Sequence, residues 1–132
     1  MFEFAFRLQK GADLKESIEN ICLENNFNTA IVLSSVGCLY EANFRLAKAV
    51  DYYSAKQDFE ILCLNGTISK GKAHLHIALA DEKGNVVGGH LQKGCLINTT
   101  CELVLAVLEE YESSRTFDEK TGYDEIIFKK KV

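Results

Sequence analysis

The chain has 132 residues, 47% of them hydrophobic and 26% charged, with a formal charge of −4 and a pI near 5.4. That length fits one compact domain with a real core, and the apolar share excludes a disordered chain. No apolar run approaches the roughly 20 residues that cross a bilayer, and the acidic pI argues against a sequence-independent grip on nucleic acid, where clustered positive charge supplies most of the affinity.

Phe2, Phe4, Phe6 and Leu8 alternate with Glu3, Ala5 and Arg7, which predicts a strand with one apolar face. The same residues are not a basic segment followed by an apolar one, so no signal peptide is expected. Asp13 followed by Glu16 opens a helix in the manner of a capping box, with Leu14, Ile18, Ile21 and Cys22 on one stripe and an end near Asn25-Asn26. Residues 29–33 are β-rich and apolar on both faces, a buried strand running toward Gly37. Residues 40–49 fit helix and strand equally, and Asp51-Tyr52-Tyr53-Ser54 is expected as an exposed loop. Residues 59–64 are apolar on both sides, with Gly66 and Gly71 beyond them.

Residues 73–80 and 86–91 predict a β-hairpin around Asp81-Glu82-Lys83-Gly84-Asn85. Residues 96–108 are taken as a long strand, although Leu103 to Leu108 would serve almost as well in a helix. Residues 123–128 form a last short strand, and Lys129-Lys130-Lys131 is expected as a frayed, solubilising tail. The sum is one α+β domain over residues 1–132, dominated by sheet, with few helices. Five cysteines, at 22, 38, 63, 95 and 101, are an odd set without C-x-x-C spacing. They fit buried thiols in a reducing cytoplasm better than disulfides or a zinc ribbon.

All three histidines, at 74, 76 and 90, fall within the predicted hairpin. Side chains two apart on a strand share a face about 7 Å apart, so His74 and His76 point together. Ala78 and Ala80 continue that face, and Leu75, Ile77 and Leu79 occupy the core side. A three-residue loop over Glu82-Lys83-Gly84, with Gly84 left-handed, pairs Asp81 with Asn85, Ala80 with Val86, Ala78 with Gly88, and His76 with His90. The rival two-residue loop over Lys83-Gly84 slips the register by one and sends His90 to the other face. In the first register, which is the one expected, the three imidazoles converge. Three neutral imidazoles suit a divalent metal, zinc first, with a fourth position left for water or a ligand, although strand histidines are also common surface residues without metal.

Other candidates carry less. Glu102 would be a fourth ligand or general base if its strand lay beside the hairpin; otherwise it is a solvated carboxylate. Arg45 would bind an anion or form an ordinary surface ion pair. Gly88-Gly89 lacks a phosphate-loop context and fits close backbone approach within a strand. No Ser-His-Asp order and no H-E-x-x-H is present, and neither Cys95 nor Cys101 has the setting of an activated nucleophile.

Gly66-Thr67-Ile68, His74-Leu75-His76-Ile77-Ala78-Leu79, Gly84, Gly88-Gly89-His90-Leu91 and Gly94 resemble the PPC (plants and prokaryotes conserved) domain. Supporting stretches are Arg7-Leu8 with Gly11-Ala12-Asp13-Leu14, Ser35-Val36-Gly37 with Phe44-Arg45-Leu46, Thr100-Cys101-Glu102 and Thr121-Gly122-Tyr123, so the likeness runs over about residues 2 to 128. The resemblance implies a central, mostly antiparallel sheet, a homotrimer, and a metal at His74, His76 and His90. It further implies association with DNA-binding proteins through protein partners. The AT-hook that precedes this domain in plants is missing here, since there is no proline and no Arg-Gly-Arg. The expectation is therefore a cytoplasmic binding or regulatory module without membrane contact, with DNA association supplied by partners; direct DNA binding is a third, less favoured expectation, which predicts a positively charged stripe and steep salt dependence. The competing expectation is a metal-dependent hydrolase of a small substrate, with Glu102 as a candidate catalytic group.

Overall fold

In the computed structural model, which describes residues 1–132, nine strands and one α-helix follow the order β1 (Phe2–Gln9), α1 (Leu14–Glu24), β2 (Thr29–Arg45), a 3-10 turn (Ala47–Ala49), β3 (Tyr52–Ala55), β4 (Phe59–Ser69), β5 (Lys72–Ala80), β6 (Val86–Leu91), β7 (Leu96–Val107), β8 (Tyr111–Asp118) and β9 (Tyr123–Lys130). Every strand pairing is antiparallel. The main sheet runs β1-β7-β2-β4-β5-β6, with β3 on the side of β2. β2 is long enough to pair β4 through its first part and β6 through Phe44 and Arg45, so the path from β2 through β4, β5 and β6 returns to β2. Register shifts against β7 mark bulges along β2, which bend and twist a strand.

Helix α1 begins where the sequence places it. The Asp13 carboxylate accepts a hydrogen bond from Glu16 N at 3.0 Å, and its other oxygen accepts one from Gly94 N at 2.7 Å. One carboxylate thus caps the helix and ties it to the turn after β6. Leu14, Ile18 and Cys22 are fully buried and join a single cluster with Phe44 from β2, Leu75, Ile77 and Leu79 from β5, Leu91 from β6 and Ile97 from β7. The core side of β5 is therefore the leucine-isoleucine side, and the histidine side faces outward.

Two expectations need correction. Residues 52–55 form strand β3 and not a loop, because their backbone pairs with residues 42–45 of β2. The lysine tail is not frayed: Lys129 and Lys130 pair with Glu112 and Tyr111, and Lys131 N donates to Glu110 O at 2.8 Å. The last strand has a partner, β8, and the two form a separate hairpin. Its root is fixed by buried hydroxyls, with Ser113 Oγ donating to Ser69 Oγ at 2.7 Å and Ser113 N donating to Asn28 Oδ1 at 2.8 Å. The ambiguous residues 40–49 divide, with β2 continuing to Arg45 and a 3-10 turn after it.

Candidate metal centre

Local turn chemistry sets the site. Asp81 N donates to Asn85 O at 2.9 Å, Gly84 N donates to Asp81 O at 3.0 Å, and Gly84 has φ +82°. The Asp81 carboxylate accepts from Lys83 N and Asn85 N, each at 2.9 Å. This is the three-residue loop, and it produces the register that brings the histidines together: Ala80 opposite Val86, Ala78 opposite Gly88, His76 opposite His90.

The three imidazoles converge. Ring centroids lie 5.4 Å apart for His74 and His76, 5.0 Å for His74 and His90, and 5.7 Å for His76 and His90. One ring nitrogen from each falls within 4.8 Å of the others. His74 and His76 are exposed and His90 is half-buried. His90 Nδ1 is buried with no hydrogen-bond partner. Such an atom carries a desolvation cost unless something binds it.

Electrostatics favour the uncharged, ligating form of His90 and His74. Burial, and then the cations of Arg45 and the neighbouring histidines, push His90 down from 6.5 to about 4. Burial lowers His74 as well, followed by His76 and Arg115, with Glu125 acting in the opposite sense. A group of three neutral imidazoles matches the donor set of zinc, copper, iron or nickel sites more closely than that of calcium or magnesium.

Arg45 stands directly opposite His90 in the β2–β6 pairing. It lines a cleft of about 660 Å³ together with His76, His90, Lys48 and Tyr123. Glu102 lies elsewhere. It sits on β7 opposite Arg7 and Val36, with β2 and β4 between its strand and β5, so the condition for its role is not met within the chain. Sequence reasoning did not anticipate Tyr123, Arg115 and Glu125, which the β8–β9 hairpin brings beside His74 and His90 in an adjoining cleft of about 890 Å³. Gly88 and Gly89 serve close approach: a Cβ at either would strike backbone of β5 or β2.

Comparison with known proteins follows the same lines. Residues 1–109 match the model of the Plants and Prokaryotes Conserved (PCC) domain. The bifunctional protein GlmU of Synechococcus sp. (strain JA-3-3Ab) is 42% identical over 127 residues, covering 96% of this chain and 20% of its own length. The chain thus spans about a fifth of the curated relatives it matches. The solved structure of a hypothetical protein from Salmonella cholerae-suis is similar at 30% identity and a TM-score of 0.94, over 99% of this chain and 95% of that one. The metal-containing protein of Archaeoglobus fulgidus is similar at 29% identity and a TM-score of 0.79, over 96% and 94%.

Proposed function

This chain belongs to the Plants and Prokaryotes Conserved domain family, and from that premise we propose that it is a metal-binding module in which His74, His76 and His90 hold one divalent ion, zinc. The observation that carries this reading is the convergence of three imidazole nitrogens within 4.8 Å, one of the rings keeping a buried and unpartnered Nδ1. The metal-containing relative from Archaeoglobus fulgidus supports it. A divalent ion held by three imidazoles is a Lewis acid with room for one further ligand. The protein's own part is to keep His90 neutral, by burial and by the Arg45 cation, and to fix the spacing of the rings through the 81–85 turn.

The module acts as a homotrimer. Leu33 and Val36 on β2 and Leu62 on β4 each leave more than half of their surface exposed, and covering such apolar side chains drives symmetric self-association. Association with DNA comes through protein partners, in keeping with the net charge of −4. Its compartment is the reducing cytoplasm, which suits five cysteines without disulfide spacing. No helix is long and apolar enough to cross a membrane.

The second reading, a metal-dependent hydrolase, is favoured by the cleft of about 660 Å³ that reaches His76 and His90. Elemental analysis of purified wild type and His76→Ala tests the metal: one equivalent in the former and none in the latter is expected, and equal content overturns the site. Sedimentation equilibrium tests the assembly, with three times the chain mass of 14.8 kDa expected. A monomer would remove the trimer.

A further inference from the structure

Arg45 is a half-buried cation without a counterion. The salt bridges of the chain are Met1 with Glu109 and Lys15 with Glu19. The arginine side-chain hydrogen bonds belong to Arg7 and Arg115. The Arg45 guanidinium carbon sits 6.0 Å from the Tyr123 ring centroid, at the outer limit of a cation–π contact, which leaves its N–H edges free. Residues directly opposite on paired strands share a face, so Arg45 projects beside His90.

The wider cleft has the same sign. Its lining carries six Lys and Arg side chains against three carboxylates, in a chain whose net charge is −4. Lys15 and Glu19 pair with each other at 3.1 Å, so five cations face two carboxylates there. Surplus positive charge gathered at one concave place on an acidic protein attracts an anion.

We propose that the cleft takes a small oxyanion, a carboxylate or a phosphate, gripped by the Arg45 guanidinium next to the histidine-bound metal. The inference rests on the metal reading above and names the ligand class of that site. A guanidinium presents parallel N–H donors that match two oxygens of either group. Its partly desolvated charge gains a partner in the process. Tyr123 backs the guanidinium from the β8–β9 hairpin, so that hairpin becomes one wall of the ligand site.

The test uses the full chain loaded with cobalt(II), whose visible absorption changes when an anion joins its ligands. Inorganic phosphate and malonate are titrated separately, and their relative strength identifies the source of the oxyanion. At least one is expected to change the wild-type spectrum saturably. Arg45→Gln is expected to keep one cobalt per chain and to weaken that anion by about tenfold or more. Arg45→Lys keeps the charge and loses the fork, so it falls between the two, and it carries the comparison if the glutamine variant does not load. Cobalt-loaded wild type that responds to neither anion, or Arg45 variants that bind it as wild type does, overturns this inference alone. Wild type that takes up no cobalt overturns the metal reading beneath it.

Discussion

Gly89→Ala is the substitution that most directly joins the fold to the site. Gly89 sits on β6 beside His90, on the core-facing side opposite Ile77. A Cβ there would lie 2.5 Å from the Arg45 carbonyl oxygen and 2.8 Å from Cδ2 of the fully buried Phe44, where ordinary contact begins at 3.4 Å. Relief requires β6 to move from β2 by about 0.9 Å, the difference between 3.4 and 2.5 Å. Overpacking of this kind costs about 1–3 kcal/mol, and the stiffer unfolded chain offsets about 0.4–1 of it. A net loss of about 1–2 kcal/mol lowers Tm by about 4 °C per kcal/mol in a domain of this size. Urea melts should show a lower midpoint at unchanged slope, and metal affinity should fall because β6 carries His90. Gly84→Ala is the control: it meets no atom within 4 Å but keeps φ +82°, so it costs only the left-handed strain of about 1–2 kcal/mol. It should leave the metal site intact. Gly89→Ala with wild-type stability and wild-type metal affinity would refute the close-approach argument.

Asp13→Ala removes both the helix cap and the bond to Gly94 N, and should cost about 1–2 kcal/mol in the same melts; a loss near zero would contradict the double role. In the native protein the exposed Cys63 should react first with a thiol reagent. Burial pushes Cys22 and Cys95 up to about 11 and Cys101 up to about 12, so those three should react only after unfolding. Rapid native labelling at any of them would contradict their burial. Metal-free protein should lose stability as pH falls from 6.5 toward about 4, because burial and Arg45 hold folded His90 neutral while the unfolded chain takes up the proton. His90→Asn should show less of that loss, and an equal loss would assign it to other groups.

The histidine cluster was legible because the information that makes it is local. Asp81, Gly84 and Asn85 fix the turn, the turn fixes the register, and the register sets His90 across from His76. Helix α1 was legible for a similar reason, since its cap and its apolar stripe are written in consecutive residues. Strand β3 was not. Tyr52 to Ala55 become a strand only because β2 offers a free edge, and four residues of mixed polarity do not advertise it. Residues 111–118 are similarly polar, and become β8 by pairing with β9. The place of Arg45 depends on β2 returning to β6, a contact between strands far apart in sequence. The choice between the two readings of Glu102 stayed open for the same reason, because the order of strands in a sheet is a tertiary fact that spacing along the chain does not carry.

The central claim is that three imidazoles form the metal's inner shell, and zinc X-ray absorption on the loaded full chain reads that shell directly. Imidazole nitrogens at about 2.0–2.1 Å with the multiple-scattering signature of histidine rings are expected, lost in His76→Ala. Sulfur at about 2.3 Å, or an all-oxygen shell without imidazole scattering, would contradict it.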